Sequence, residues 1–80
     1  MNKSKRRKIL RLLRKAHYHI VKLEALISFR IGDIMLMESG VALAYDVTRK
    51  LLQDTERALD DINALKNLML EVRKILVASN

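Results

Sequence analysis

The chain has 80 residues, enough for one small domain, and a domain of this size usually needs disulfides, a metal or oligomerisation for stability. Cysteine is absent and there are two histidines, which excludes disulfides and leaves almost no ligands for a structural zinc site. Half of the residues are apolar, proline is absent and there are two glycines, a composition typical of helices rather than of a sheet.

The basic residues are concentrated at the start of this single domain, in residues 3–15. Residues 1–15 contain eight Lys and Arg and no acid, whereas residues 16–80 contain eight bases and nine acids, so local charges of +8 and −1 make up the net +7. Such asymmetry favours a polyanion-binding arm or a localisation signal. The same bases interrupt the apolar run that a secretory signal needs, so we expect a soluble, intracellular protein, cytoplasmic or nuclear in a eukaryote.

The first predicted helix follows this basic start and spans about residues 4–38. Its apolar residues are spaced alternately four and three apart, which predicts a coiled-coil seam. The seam residues are Ile9, Leu13, Ala16, Ile20, Leu23 and Ile27. The seam then resumes at Ile31 and Ile34, and the extra four-residue step is a stutter, which locally unwinds a supercoil.

The second predicted helix spans about residues 41–78, after a reversal at Ser39-Gly40. Glycine is favoured there because it adopts a positive φ without strain just past a helix end. The second seam has its own stutter between Leu51 and Thr55, and its residues are Ala44, Val47, Leu51, Thr55, Ala58, Ile62, Leu65, Met69, Val72 and Leu76.

Chain reversal at Gly40 brings the two stutters to similar heights. We therefore predict an all-α fold, a long helical hairpin with helices at about 4–38 and 41–78. The alternative is a three-helix bundle with breaks near Gly32-Asp33 and Asp54-Thr55, where Asp or Thr would cap a helix.

Self-association is expected because both helices have more apolar surface than one partner helix covers. Two hairpins that pair into an antiparallel four-helix bundle would cover it, and a homodimer is the commonest closed solution. The predicted oligomer or partner interface consists of Leu26, Phe29, Leu36, Met37, Leu52 and Leu59. A compact three-helix monomer would hide the same residues in its own core.

No catalytic or metal-binding pattern is evident, so we expect a non-enzymatic protein without cofactor or metal. His17 and His19 are two residues apart, which points their rings to different faces of a helix. The acidic group Asp54, Glu56, Asp60 and Asp61 lacks the glycine turn of a calcium loop, and we interpret it as solvated surface or as attraction to the basic end of a partner chain. Arg30 and Asp54, at the seam edges, either extend to solvent or set the register.

The basic segment becomes a strip when it is placed on a helix. Its Lys and Arg cover an arc of about 120° opposite the apolar residues, with Tyr18 in the middle. The predicted nucleic-acid-binding residues are Lys5, Arg6, Arg7, Lys8, Arg11, Arg14, Lys15, Tyr18 and Lys22. Such an array neutralises phosphates and releases counterions, so we predict binding to the DNA or RNA backbone without sequence readout.

Two other functions compete with nucleic-acid binding. In the first, the protein is an assembly or adaptor subunit whose apolar surface at residues 25–37 packs on a partner protein. In the second, a basic amphipathic helix binds a membrane surface. Membrane binding is favoured least, because the predicted seam already uses the apolar face at residues 9–20.

Overall fold

The protein is a hairpin of two long helices. The structure is a computed structural model that describes residues 1–41 and 44–79. Helix α1 (Lys3–Glu38) and helix α2 (Ala44–Ala78) lie side by side in a molecule that extends 57 × 15 × 14 Å. Within the described residues there is no strand. The predicted all-α hairpin is therefore confirmed.

The three-helix alternative is wrong. Helix α1 continues through Gly32-Asp33, and α2 continues through Asp54-Thr55, so neither predicted break occurs. The physical reason is that Asp33 and Asp54 do not cap new helices. Their carboxylates instead contact Arg30 at the interface between α1 and α2.

Local side-chain and backbone groups terminate α1 at both ends. The side chain of Asn2 accepts a hydrogen bond of 2.8 Å from the backbone N–H of Lys5, which satisfies one of the free donors of the first turn. At the other end, the N–H of Gly40 donates to the carbonyl of Met37, and the N–H of Val41 donates to that of Leu36. This is the double-bonded glycine cap that commonly ends helices.

The second helix begins later than predicted. Val41, the first residue of the predicted helix, lies in a bend, and α2 begins at Ala44. Val41 instead belongs to the end of α1, where its N–H donates to the carbonyl of Leu36. The prediction also covers residues 42 and 43, which lie outside the described residues.

Substitutions of the two glycines by Ala should have opposite effects on stability. Gly40 has φ +83°, so Gly40→Ala should lower the free energy of unfolding by about 1 kcal/mol, although a Cβ would meet no atom there. Gly32 lies inside α1 with open space around it, so Gly32→Ala should raise the free energy by up to about 1 kcal/mol. Urea denaturation followed by circular dichroism measures both. An equal loss in the two variants would contradict this explanation of the turn.

The interface between the helices shares alternate positions with the predicted seam, among them the buried Ala16, Val47 and Val72, and differs at the positions between them. Most of the residues that the hairpin shields from solvent are spaced four and three apart without interruption. In α1 they are Ile9, Leu12, Ala16, His19, Leu23, Leu26, Arg30, Asp33 and Met37. In α2 they are Val47, Leu51, Asp54, Ala58, Asp61, Leu65, Leu68, Val72 and Ile75. The two predicted stutters are therefore wrong for this interface.

Charged side chains explain the difference between the two seams. The shielded row contains charged or ionisable residues such as His19, Arg30 and Asp61. A seam predicted from apolar residues alone therefore passes through the neighbouring row at these heights, because that row has large apolar side chains. That neighbouring row, which includes Leu13, Ile20 and Ile27, is between 41% and 56% exposed in the hairpin. The hairpin thus has a thin core and a second apolar row that it does not cover.

Candidate nucleic-acid interface

Part of the predicted basic strip borders a groove between the two helices. Arg11, Arg14, Lys15 and Tyr18 of α1 line one wall. The other wall comes from α2 and consists of Ala64, Asn67, Leu68 and Glu71. The groove has a volume of about 660 Å³, and Glu71 is the one acid among the residues that line it. The result is an open groove whose surface is mostly apolar and whose lining includes three bases, one acid and an aromatic side chain; we call it the basic groove after those bases.

The remaining strip residues extend the same surface along α1. Lys8 lies one seven-residue repeat before Lys15, and Arg7 lies one repeat before Arg14, so each pair shares a face of the helix. Lys8 and Arg7 are exposed. The strip therefore continues past the groove toward the start of the helix.

Two of the predicted binding residues lie outside this surface. Lys5 is half-buried, at the position that continues the shielded row beyond Ile9. Arg6 lies one seven-residue repeat before Leu13, and so belongs with the uncovered apolar row. These two bases flank the strip and do not form part of it.

A buried polar cluster holds the wall of the basic groove. Asp61 is only 4% exposed, and its Oδ1 accepts hydrogen bonds from Nδ1 of His19 at 2.8 Å and from Nζ of Lys22 at 3.2 Å. The His19 ring in turn meets the Tyr18 ring edge to face, with centroids 5.7 Å apart. Asp61 on α2 therefore contacts His19, the ring neighbour of Tyr18, although the two are more than forty positions apart in the chain.

The pKa of Asp61 lies below its ordinary value. The hydrogen bond from His19 is the largest cause, burial opposes it by favouring the neutral acid, and Lys22 adds a second hydrogen bond and its charge. Lys22, which the sequence places in the basic strip, thus shares its charge with a buried carboxylate. The strip is most strongly cationic at residues 7–15.

Acid should remove the contribution that Asp61 makes to stability. Because its pKa is lower in the folded state, this contribution is full above about pH 4, the unfolded value. It is lost as the pH falls below about 4 and through the folded-state pKa. Thermal unfolding from pH 7 to pH 2 should therefore show a steeper acid loss in the wild type than in Asp61→Asn. Parallel curves for the two proteins would mean that ionisation of Asp61 does not contribute to the stability of the folded state.

A second polar cluster lies closer to the turn. Arg30 Nη1 is 3.0 Å from Asp33 Oδ2, and Arg30 Nε is 3.2 Å from Asp54 Oδ2. Arg57 Nη1 is 3.7 Å from Asp54 Oδ1. Partly buried ion pairs contribute little net stability but penalise shifted registers, in which each charge would lose its partner. Together with Asp61, this cluster places charged pairs at the interface between α1 and α2.

The opposite side of the hairpin has a second groove, with a volume of about 440 Å³. Its lining combines Ile27, Ile31, Ile34, Met35 and Thr55 with the charged residues Arg30, Glu38 and Asp54. Residues one or more seven-residue repeats away lie on the same side. We call this surface the apolar face, and its large members are Leu10, Leu13, Ile20, Ile27, Ile31, Ile34, Met35, Ile62, Met69 and Leu76.

The predicted interface residues are divided between several positions. Leu26 and Met37 are half-buried in the seam, where they pack within the hairpin. Leu52 and Leu59 are 63% and 60% exposed, at the α2 edge of the apolar face. Phe29 and Leu36 are 66% and 45% exposed and continue the row of Lys15 and Lys22 on the side of the basic groove. The apolar face itself consists mainly of residues that the sequence placed in the internal seam.

The described residues contain neither a membrane span nor a metal cluster. Neither α1 nor α2 contains a stretch that is both long and apolar enough to cross a bilayer. Among residues 1–41 and 44–79, no three His, Asp or Glu side chains are grouped as metal ligands would be. The exposed surfaces that remain as candidate sites are the basic groove with its strip and the apolar face.

A comparison of the chain with protein-family models, with curated proteins and with solved structures found no match. The functional assignment therefore depends on the two surfaces alone.

Proposed function

We propose that the protein is a non-enzymatic, self-associating helical-bundle protein that binds the phosphate backbone of DNA or RNA through its basic strip. The observation that supports this most is the clustering of Arg11, Arg14, Lys15 and exposed Tyr18 along one groove. Rows of Lys and Arg at this spacing neutralise successive phosphates, and the released counterions drive binding.

The position of the bases also favours an anionic partner. The first turn of α1 contains no acid, and bases occur at Lys3, Lys5 and Arg6. The N-terminal end of a helix carries a partial positive charge, so bases there reduce helix stability. A bound phosphate backbone would relieve both the dipole and the mutual repulsion of the bases.

Tyr18 supplies a further contact of a type that nucleic acids offer. Its side chain is 64% exposed, and one edge meets His19, so a large part of the ring is open to solvent. An exposed ring between cations can stack on an unpaired base. This residue therefore favours a single-stranded or looped partner over a fully paired duplex when both are offered.

The apolar face supports the self-association part of the proposal. Nine of its ten large side chains are more than 40% exposed in the hairpin: Leu10, Leu13, Ile20, Ile27, Ile31, Met35, Ile62, Met69 and Leu76. A second hairpin that packs on this face would form a four-helix bundle with coiled-coil spacing. Burial of a face this extended would supply the reinforcement that a short chain with a thin core needs.

A titration with nucleic acid tests the binding. Fluorescent duplex DNA, single-stranded DNA and an RNA hairpin are each titrated with protein at several salt concentrations. We expect binding that weakens steeply with salt, with a slope of about −0.9 per phosphate contacted on B-DNA. Binding that is absent at low salt, or that is insensitive to salt, would refute the proposal.

A second candidate is an assembly subunit whose apolar face packs on a different protein. The extent of that face is the observation that favours it. In that case the protein remains monomeric by itself and does not bind nucleic acid.

Anionic vesicles added to the same titration distinguish membrane binding from nucleic-acid binding. Membrane binding is the function that the sequence favours least, because the predicted seam uses Leu13 and Ile20. Both side chains are 41% exposed in the hairpin, however. Co-sedimentation of the protein with vesicles, without nucleic-acid binding, would favour a membrane surface over the proposed function.

A further inference from the structure

We propose that a second copy of the chain covers the apolar face in a two-fold antiparallel dimer, so that the dimer bridges two nucleic-acid backbones. In this arrangement, which we call head to tail, the open end of each hairpin lies beside the turn of the other. The orientation is independent of any ligand, whereas the bridging rests on the proposed nucleic-acid binding. Its grounds are the charge of the two halves of the hairpin, the size of the apolar face and the position of the basic groove.

The two halves of the hairpin carry opposite net charge. The contact between His19 and Asp61 lies near mid-length and divides the molecule into an open half, residues 1–20 and 62–80, and a turn half, residues 21–61. The open half contains eleven bases and one acid, a net +10, and the turn half contains five bases and eight acids, a net −3. The two values add to the net +7 of the chain.

This distribution decides between two symmetric dimers. A two-fold axis along the hairpin would place the two +10 halves side by side. A two-fold axis across the hairpin places each +10 half beside a −3 half. Like charges in register are unfavourable and opposite charges are favourable, so the head-to-tail dimer is the stable one.

The apolar face is large enough for a stable dimer. From Leu10 to Met35 it extends 25 residues along α1, or about 38 Å at the helical rise. Two adjacent helices make it about 20 Å wide, which gives roughly 750 Å². Specific interfaces bury about 800 Å² per partner, so a second copy of the same face matches the area required.

Head-to-tail packing separates the two basic grooves. Each groove lies on the side of its hairpin that faces away from the apolar face, because Arg11, Lys15 and Tyr18 line the opposite side from Ile27 and Ile34. In the dimer the two grooves therefore lie on opposite outer surfaces and toward opposite ends. One continuous duplex segment cannot fill both, so two segments are bound.

Spin-label distances test the orientation without nucleic acid. The chain has no cysteine, so Ser4→Cys carries one label per copy, near the open end. For a molecule 57 Å long, head-to-tail packing predicts labels about 50 Å apart, whereas parallel packing predicts less than about 35 Å. Val21→Cys, at mid-length, is the control and should give a distance below about 35 Å in either orientation.

The outcomes of the distance measurement are distinct. A long distance at position 4 with a short one at position 21 supports the head-to-tail dimer. Short distances at both positions refute the orientation and leave the dimer in place. The absence of any distance at both positions refutes the dimer and the proposal with it.

A capture experiment tests the bridging. Duplex DNA fixed to beads is mixed with protein and then with a second, fluorescent duplex of the same sequence. The wild type should retain the second duplex, and a variant with Ile20→Lys and Ile27→Lys, which keeps the basic strip, should bind the first duplex and lose the second. If the wild type binds the duplex on the beads but does not retain the fluorescent duplex, bridging is refuted. If the wild type binds neither duplex, the proposed function itself is refuted.

Discussion

A variant with Arg7, Arg11, Arg14 and Lys15 all changed to Gln is expected to lose most of its affinity for duplex DNA. Each phosphate contact contributes about 0.9 to the slope of log affinity against log salt, so removal of four contacts should reduce the slope by up to about 3.6. Near 0.15 M salt this corresponds to a loss of about 10²- to 10³-fold. Fluorescence anisotropy at four or more salt concentrations measures both quantities.

A matched variant distinguishes the effect of the basic strip on binding from the effect of net charge alone. Arg49, Lys50, Lys66 and Arg73 are exposed and lie outside the strip, and their change to Gln removes the same number of charges. This control should retain most of the salt slope. Equal losses in the two variants would show that binding follows the total charge rather than the geometry of the strip.

The double variant Ile20→Lys and Ile27→Lys is expected to dissociate the dimer while the hairpin stays folded. The two side chains are 41% and 56% exposed in the hairpin, so lysine there has access to water in a single copy. In the dimer the same positions lie at the centre of the apolar face, where an unpaired charge is costly. Loss of two central anchors at about 2 kcal/mol or more each should raise the dissociation constant by about a thousandfold or more.

The control for this variant adds the same charge on the other side of the helix. Ala25 and Phe29 are exposed and continue the rows of Tyr18 and Lys22, on the side of the basic groove. Ala25→Lys with Phe29→Lys should leave the dimer intact. Sedimentation equilibrium gives the mass of each variant, and circular dichroism confirms that the helices remain. A control that dissociates equally would show that the apolar face is not the interface.

The hairpin was predictable because local signals and long-range pattern agree. Proline is absent, Gly40 marks the reversal, and long periodic runs lie on each side of it. The strip was predictable for the same reason, since helical periodicity alone places Arg7, Arg14 and Lys15 on one surface. Neither inference requires knowledge of which residues touch across the two helices.

Apolar spacing predicted only the part of the seam that is apolar, such as Ala16, Val47 and Val72. Arg30, Asp33 and Asp54 occupy shielded positions because they pair with one another, and a charge at such a position looks solvent-exposed until its partner is known. The large apolar residues one position later then appear to be the core. A search for opposite charges at seam spacing in both helices was the available signal, and it would have drawn attention to Arg30 with Asp54.

The link between Asp61 and the basic groove was also hidden in the sequence. The sequence indicates only that the rings of His17 and His19 point to different faces, and it predicts that Asp61 belongs to a solvated acidic group or is attracted to a partner chain. In the structure His19 and Asp61 meet at 2.8 Å, and Asp61 is almost completely buried. The pairing depends on the register of α1 against α2, which local spacing does not determine.

The most direct test of the central claim is to map the nucleic-acid contact residue by residue. Amide shifts of ¹⁵N-labelled protein are recorded as a short DNA or RNA is added at moderate salt. We predict that changes concentrate at Arg7, Arg11, Arg14, Lys15 and Tyr18, together with Asn67 and Glu71 across the groove, and that Ile27 and Ile34 remain unchanged. Changes confined to the apolar face, or no changes at protein excess, would contradict a role for the basic strip in binding the phosphate backbone.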